Sequence, residues 1–516
     1  MTEALRPRAG DRNAPVLETW NGEAIDARTV PVLPVERFRA VVLGVLRAGG
    51  RISALFGRPA GGRTLLTAVL ADDPEGKLGI LSTEVDGAYP ALSAEAPAAQ
   101  GFEREIAEQF GVRPEGHPWL KPLRFEPPLR ATPDAFGRKD PKATLPGEYP
   151  FFRVEGEEVH EVAVGPVHAG IIEPGHFRFQ CHGEQVFHLE IVLGYQHRGV
   201  EAMLRGGPDR RSLVVAESIA GDTTVGHGMA YVKAIESLSG RPPAARAMAL
   251  RGIAQELERM ANHVGDLGAL ANDVGFLPTA SYCGALRADF LNATAQICGN
   301  RFGRGLLVPG GVRFDLGAAE ARALAARVRA SWKKTKGAAS LLLESPSSRA
   351  RFEGTGIVSR EVARELGLVG PAARASGLDR DVRRDHAYGI YRFVHVPVTT
   401  TDGGDVLARA LIRLLEAERS AEFVTSQLEN LPEGEIRDAV GPLAPNALVV
   451  SLVEGWRGEI AHVAITDERG RFERYKVKDP SFHNWFGLAM ALRDGQISDF
   501  PLCNKSFNLS YAGHDL

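Results

Sequence analysis

The stretch that most limits the possible folds is ARAMALRGIAQELERMANHVGDLGAL, residues 245–270. Its apolar positions Leu250, Ile253, Leu257, Met260, Val264 and Leu267 fall at steps of three and four, one stripe of a long helix. Similar spacing predicts helices near 281–302, 317–344, 359–367 and 404–428, so this part reads as a helical bundle. The last segment, 479–516, is apolar enough to be core rather than tail, which draws the ends together.

Earlier in the chain the period changes. HFRFQCHGEQVFHLEIVLGY (176–195) alternates Phe177, Phe179 and Cys181, turns at His182-Gly183-Glu184, and alternates again at Phe187, Leu189, Ile191 and Leu193. That predicts a β-hairpin with one buried face. Residues 127–150 carry six prolines around GRKDPK and read as a linker or extended crossing arm. Before them, RFRAVVLGVLRAGG (37–50) and GFEREIAEQFGV (101–112) have helix spacing, whereas TLLTAVLAD (64–72) and LGILSTEV (78–85) are strand-like. The expected class is α+β. A small α+β domain (1–126) precedes the linker (127–150), and a hairpin-bearing, mainly α-helical bundle follows over 151–516.

Composition excludes several functions. The net charge of −3 comes without a basic run, so nucleic acid is not an expected partner. The longest apolar run, ALVVSLV at 447–453, is far short of the roughly 20 residues of a spanning helix. MTEALRPRAGDRNAPV has no apolar signal region, and a cytoplasmic location is the default. The four cysteines, Cys181, Cys283, Cys298 and Cys503, form no C-x-x-C pair and read as small buried residues. His160, His168, His176, His182, His188 and His197 crowd one region, but their spacing does not make them converge on a metal. TDGGDV (401–406) and LVPGGV (307–312) lack the strand–Gly–helix context of a phosphate loop and read as turns and caps. No dinucleotide fingerprint occurs.

GPVH (165–168), EPGHFRF (173–179), GYQHRGVE (194–201), ESIAG…GHGMAY (217–231), ELERMANHVGDLG, VPGGV and DPSF follow one another in a distinctive order. Residues 151–516 thereby resemble the large subunit of nickel–iron hydrogenases, of the membrane-bound energy-converting and formate hydrogenlyase type. They equally resemble the D-type subunit of respiratory complex I (NADH-quinone oxidoreductase), which descends from that family. FEREIAEQFGVRPEGHP (102–118) is similar to the C-type subunit of complex I, which implies that the two types are fused in one chain.

The resemblance implies a metal frame, and the chain departs from it. The two C-x-x-C pairs of the hydrogenases would fall on Ala220 and Thr223, and on Ser481 and Asn484. Nickel and iron there need soft thiolates, so no nickel–iron centre and no hydrogenase activity are expected. In the D-type subunit the emptied cavity faces an iron–sulfur partner and receives quinone. Carried over, Tyr231 sits on the family Tyr, and strict alignment puts Pro174 at the family His, with His168 or His176 as substitutes. Asp273 resembles the acid that orients that His, and His227 falls on a hydrogenase-type His. A phenol and an imidazole suit a carbonyl that must gain protons. Arg198 and Glu201 read as a structural ion pair holding the hairpin to the bundle. The implied protein is a peripheral, cytoplasmic-face subunit of a hetero-oligomeric oxidoreductase. Its partners would be an iron–sulfur small subunit and antiporter-related membrane subunits, with NAD(H) met only through other subunits. The alternative is a non-catalytic scaffold in such a complex.

Overall fold

Phe38, Val42 and Leu43 form the buried stripe of the helix Val35–Arg47, which packs with the helix Gln100–Phe110 around an antiparallel sheet. The strands of that sheet lie in the order Leu17–Trp20, Lys77–Val85, Arg63–Asp72 and Arg51–Ala60. The computed structural model describes residues 15–129, 134–138, 145–170 and 172–516. The N-terminal MTEALRPRAGDRNA and positions 130–133 and 139–144 of the proline-rich arm thus lie outside the described residues. The described parts of the arm run along the helix Gln100–Phe110: Leu129 N–H donates to the Gln109 carbonyl and Ala135 N–H to that of Ala107.

The bundle is built from Ala245–Asp273, Leu277–Cys298, Ala318–Glu344 and Val406–Glu429. The first two helices approach so closely at Gly268 that a Cβ there would come within 2.8 Å of Cys283 Cβ. A larger residue would push them apart.

Three features depart from expectation. The region 151–516 supplies three strands of a four-stranded antiparallel sheet, ordered Phe472–Lys478, Gly458–Thr466, Ala447–Gly455 and Ala24–Asp26. Every residue of Ala447–Gly455 and Gly458–Thr466 is buried, so these strands show no alternation by which to recognise them. Ala24–Asp26 comes from the N-terminal region and pairs with Ala447–Val449, so the backbone ladder crosses the expected boundary at 126. The hairpin His176–His182/Gln185–Val192 is present, but a bulge between Val186 and His188 shifts its phase. Val186, Leu189 and Val192 are buried, while Phe187 and Ile191 are only half-buried. A third strand, Val159–Val164, completes this sheet.

Arg198 does not pair with Glu201. Its guanidinium donates to the Ser218, Ile219 and Ala512 carbonyls, at 2.6, 2.8 and 3.1 Å. Glu201 instead takes Arg474 at 2.6 Å and Lys476 at 2.9 Å. Burial alone would push the Glu201 carboxyl up, but these two cations hold it well below the usual range. Lys476 also binds Glu105 at 2.6 Å, and Glu105 binds Arg124, so a buried chain of charges joins the N-terminal helix to the C-terminal sheet. Phe482 adds an apolar tie by packing on Phe102 at 4.7 Å. The C-terminus is inside: Asp515 accepts the Gly194 and Gln196 N–H groups, both at 2.8 Å. Among the described residues no helix is long and apolar enough to cross a membrane.

Removing one member of a buried charge cluster strands the others without solvent. Glu105→Gln is therefore expected to lower unfolding stability by about 3–5 kcal/mol in urea titrations. Adding Lys476→Met should recover part of the loss, and a single-variant change below about 1 kcal/mol would contradict this coupling.

Candidate functional site

The segment Ser218–Thr223 connects the helices Ser212–Glu217 and Thr224–Ser239, and Ser481 opens the helix Ser481–Ala491; Ala220, Thr223, Ser481 and Asn484 are all buried. Ala220 offers no heteroatom. Thr223 Oγ1 donates to Asp222 Oδ1 at 3.1 Å and accepts from Trp456 Nε1 at 3.1 Å. Ser481 Oγ accepts the Ser510 N–H at 2.9 Å. The Asn484 amide pairs with both backbone groups of Val369, each at 3.1 Å.

Beside Thr223 lies an ion pair. Arg457 forks onto Asp222, Nη1 to Oδ1 at 2.6 Å and Nη2 to Oδ2 at 2.7 Å, and its guanidinium lies 3.9 Å from the Trp456 ring. Burial would push the Asp222 carboxyl up, but Arg457 holds it below the ordinary range. A nickel–iron group does not fit here. The available oxygens are hard, neutral and already bonded, and a cation, Arg457, bonds Thr223 Oγ1 at 3.3 Å.

Behind this pair runs a line of hydrogen bonds. His227 Nε2 bonds Asp479 Oδ2 at 2.9 Å, His227 Nδ1 meets His462 Nε2 at 3.1 Å, and His462 Nδ1 meets the Tyr475 hydroxyl at 2.9 Å. An ionised carboxylate only accepts, so His227 donates to Asp479 through Nε2. Burial and the neighbouring His227 push His462 well below its usual value, keeping it neutral. Glu258 accepts the Val225 and Gly226 N–H groups, at 2.7 and 3.1 Å, and burial pushes its carboxyl up to about 8. With Asp222, Asn262, Arg301 and Phe302 it lines a void of only about 10 Å³, room for about one water.

The residues expected from sequence separate into two groups. His227 is part of this line. His168 lies in the loop after Gly165 and His176 opens the strand that follows it: His168 Nε2 bonds the Gly175 carbonyl at 2.8 Å, and His176 Nδ1 bonds that of Gly165 at 3.3 Å. Arg178 Nε donates to His176 Nε2 at 3.1 Å, so His176 is a neutral imidazole, consistent with burial lowering its pKa. Glu173 joins this loop to the frame by accepting the Tyr511 N–H at 3.1 Å. Burial raises its carboxyl, opposed by Arg457. Tyr231 lies in the core at 2% exposure, its ring 6.2 Å from that of Tyr475, and burial pushes its phenol up. Asp273 ends the helix Ala245–Asp273 near Lys505, and the hydrogen bonds of His168 and His176 go elsewhere. The histidines of 160–197 do not converge: among the described residues, no three His, Cys, Asp or Glu side chains are placed to hold a metal ion.

Asp222, Glu258, Arg457, His462 and Asp479 escaped sequence reasoning as site residues. Asp222, Glu258 and Asp479 sit inside the singled-out motifs ESIAG…GHGMAY, ELERMANH and DPSF. Arg457 lies in the turn between the strands Ala447–Gly455 and Gly458–Thr466, and His462 in the second of them, both without any motif signal.

Comparison with known proteins gives a consistent set of similarities. The family model described as respiratory-chain NADH dehydrogenase, 49 Kd subunit, matches residues 273–445. Formate hydrogenlyase subunit 5 of Escherichia coli (strain K12) is 29% identical over 489 residues, 91% of this chain and 85% of that one. The NADH-quinone oxidoreductase D subunit of Clostridium beijerinckii is 29% identical over 308 residues, 59% of this chain and 83% of that one. A chain in the solved structure of the membrane-bound sulfane sulfur reductase, an archaeal respiratory membrane complex, has a TM-score of 0.65 at 23% identity. The match covers 71% of this chain and 100% of that one, and this likeness is one of fold.

Glu258 should leave a pH signature. Its native carboxyl keeps a proton to about pH 8, whereas the unfolded group releases it near 4.5. Between those values the native state binds the extra proton, so the contribution to stability falls as pH rises and levels off above. Wild type is expected to lose roughly 2–4 kcal/mol relative to Glu258→Gln between about pH 5 and pH 8.5 in urea titrations. Parallel curves would rule out this protonation.

Proposed function

We propose that this chain, a relative of the large subunits of energy-converting hydrogenases and of the D-type subunit of complex I, is a redox-coupling subunit of a membrane-associated oxidoreductase complex. The observation that carries this reading is the frame itself. At Thr223, one of the expected ligand positions, the hydroxyl is bonded by Arg457, which is itself paired with Asp222, and this supports a frame without its metal. A protein that retains the scaffold and gives up the ligands serves electron transfer centred on a partner. That partner would be an iron–sulfur small subunit, and antiporter-related membrane subunits would hold the chain peripherally at the cytoplasmic face. NAD(H) would enter only through other subunits. The domain 1–126 is proposed to act as the counterpart of the C-type subunit.

The proposed acceptor is a quinone, taking two electrons from the partner's cluster and two protons to give the quinol. Among the candidates, His168 and His176 are the best situated to meet a carbonyl, because their loop borders the frame through Glu173. A neutral His176 can donate through Nδ1 in place of its bond to the Gly165 carbonyl. Tyr231 would act only if the core around it opened, and Asp273 only if the loop reached the helix end. The scaffold reading also has an observation in its favour: the void at the frame, about 10 Å³, admits no ring.

Quinone turnover by the purified complex decides between these readings. His176→Ala is expected to lower kcat by about a hundredfold while assembly is kept, the size of a lost proton donor. Tyr231→Phe should change it by less than about threefold. Turnover unaffected by replacing both histidines would leave the scaffold reading.

A further inference from the structure

A second region of the molecule is built to hold something. A cleft of about 510 Å³ opens between the helix Thr224–Ser239, the start of Ala245–Asp273 and the turn Gly389–Arg392. That volume suits a small molecule. Met229, Met248 and Ile390 supply apolar wall. Gly252 shapes it, since a Cβ there would come within 2.6 Å of Ile390 Cγ2. Phe393 stands at the mouth, 73% exposed.

The charges of the cleft do not balance. Its one carboxylate is Glu236, and Arg251 takes both oxygens, at 3.0 and 2.5 Å. Glu236 also accepts the Gly310 N–H at 2.8 Å. Three further cations line the cleft, Lys233, Arg241 and Arg392, and among the described residues none of them makes an ion pair. Lys233 donates only to neutral oxygens, Asn21 Oδ1 and the Leu452 carbonyl, and lies 5.1 Å from the Tyr388 ring. Burial and the nearby Arg392 hold its amine well below the usual value, the behaviour of a cation short of a counter-charge. Arg392 donates only to the Ala387 carbonyl at 3.3 Å, and Arg241 is exposed.

We propose that this cleft binds a small amphipathic anion, a carboxylate or phosphate head on an aromatic or short acyl body. The head lies between Arg241, Arg392 and Lys233, and the body lies along Met229, Met248, Ile390 and Phe393. The apolar wall supplies affinity by burial and the unmatched cations supply selection for negative charge. The site is separate from the metal frame and does not depend on any reading of it.

The test is fluorescence titration of the full chain with 8-anilino-1-naphthalenesulfonate and with its neutral counterpart N-phenyl-1-naphthylamine. Wild type should bind the sulfonate saturably at one site. Arg241→Gln/Arg392→Gln should weaken that binding at least about tenfold and leave the neutral probe unchanged, the loss expected when charge-assisted hydrogen bonds go. Both positions are exposed, so an unchanged thermal midpoint confirms the variant's fold. Phe393→Ser should weaken both probes. Displacement by decanoate would support a free amphiphile, and displacement only by vesicles containing anionic phospholipid would support a lipid headgroup. Equal sulfonate affinity in wild type and the double-arginine variant overturns the proposal.

Discussion

The Asp222–Arg457 pair fixes the centre of this molecule. Arg457 comes from the tight turn between two buried strands and Asp222 from the segment entering a helix, so their bidentate contact locks sheet to bundle. Removing Asp222 alone would leave Arg457, only 4% exposed, without its counter-charge. Their neighbours follow from that contact. Trp456 stacks on the guanidinium and donates to the Asp222 carbonyl, Thr223 bonds to both, and Glu173 and Asn508 draw the loop and the C-terminal segment onto the same centre.

The same logic extends through the interior. Arg374 pairs with Glu416 at 2.8 Å and Glu454 at 2.9 Å, and Arg383 pairs with Asp381 at 2.7 Å and Glu256 at 3.1 Å. Burial would push Glu256 up, but Arg259 and Arg383 hold it at about 2, and the Ser420 and Tyr391 hydroxyls add hydrogen bonds of 2.6 Å each. His263, beside Glu416, is pushed down to about 4 by burial. Such clusters cost desolvation, and in return each pairing admits only one arrangement of its elements.

Much of this was readable from sequence where local rules govern. The long helices followed their period of three and four, and the order of GPVH, EPGHFRF, ELERMANHVGDLG and DPSF pointed to relatives that the comparisons found. The central sheet was not readable, because ALVVSLVEG and GEIAHVAIT are buried on both faces and carry no alternation. In the hairpin the bulge puts Val186 rather than Phe187 opposite Cys181, while Leu189 and Ile191 still pair with Phe179 and Phe177. The partners of Arg198 and Glu201 were misjudged for another reason: nearness in sequence says nothing about which buried cation lies closer in space. At the frame, sequence pointed to Ala220, Thr223, Ser481 and Asn484, while Arg457, which bonds Thr223, comes from a strand turn with no motif around it.

The frame holds an ion pair, and on the proposed reading the chain's redox work depends on a partner's cluster. Elemental analysis of the complex captured through this chain from gently solubilised membranes tests that claim most directly. Iron is expected in stoichiometric amount, co-purifying with a cysteine-bearing small subunit and membrane subunits, with nickel at background. Stoichiometric nickel, or an iron-free chain recovered alone, would contradict it.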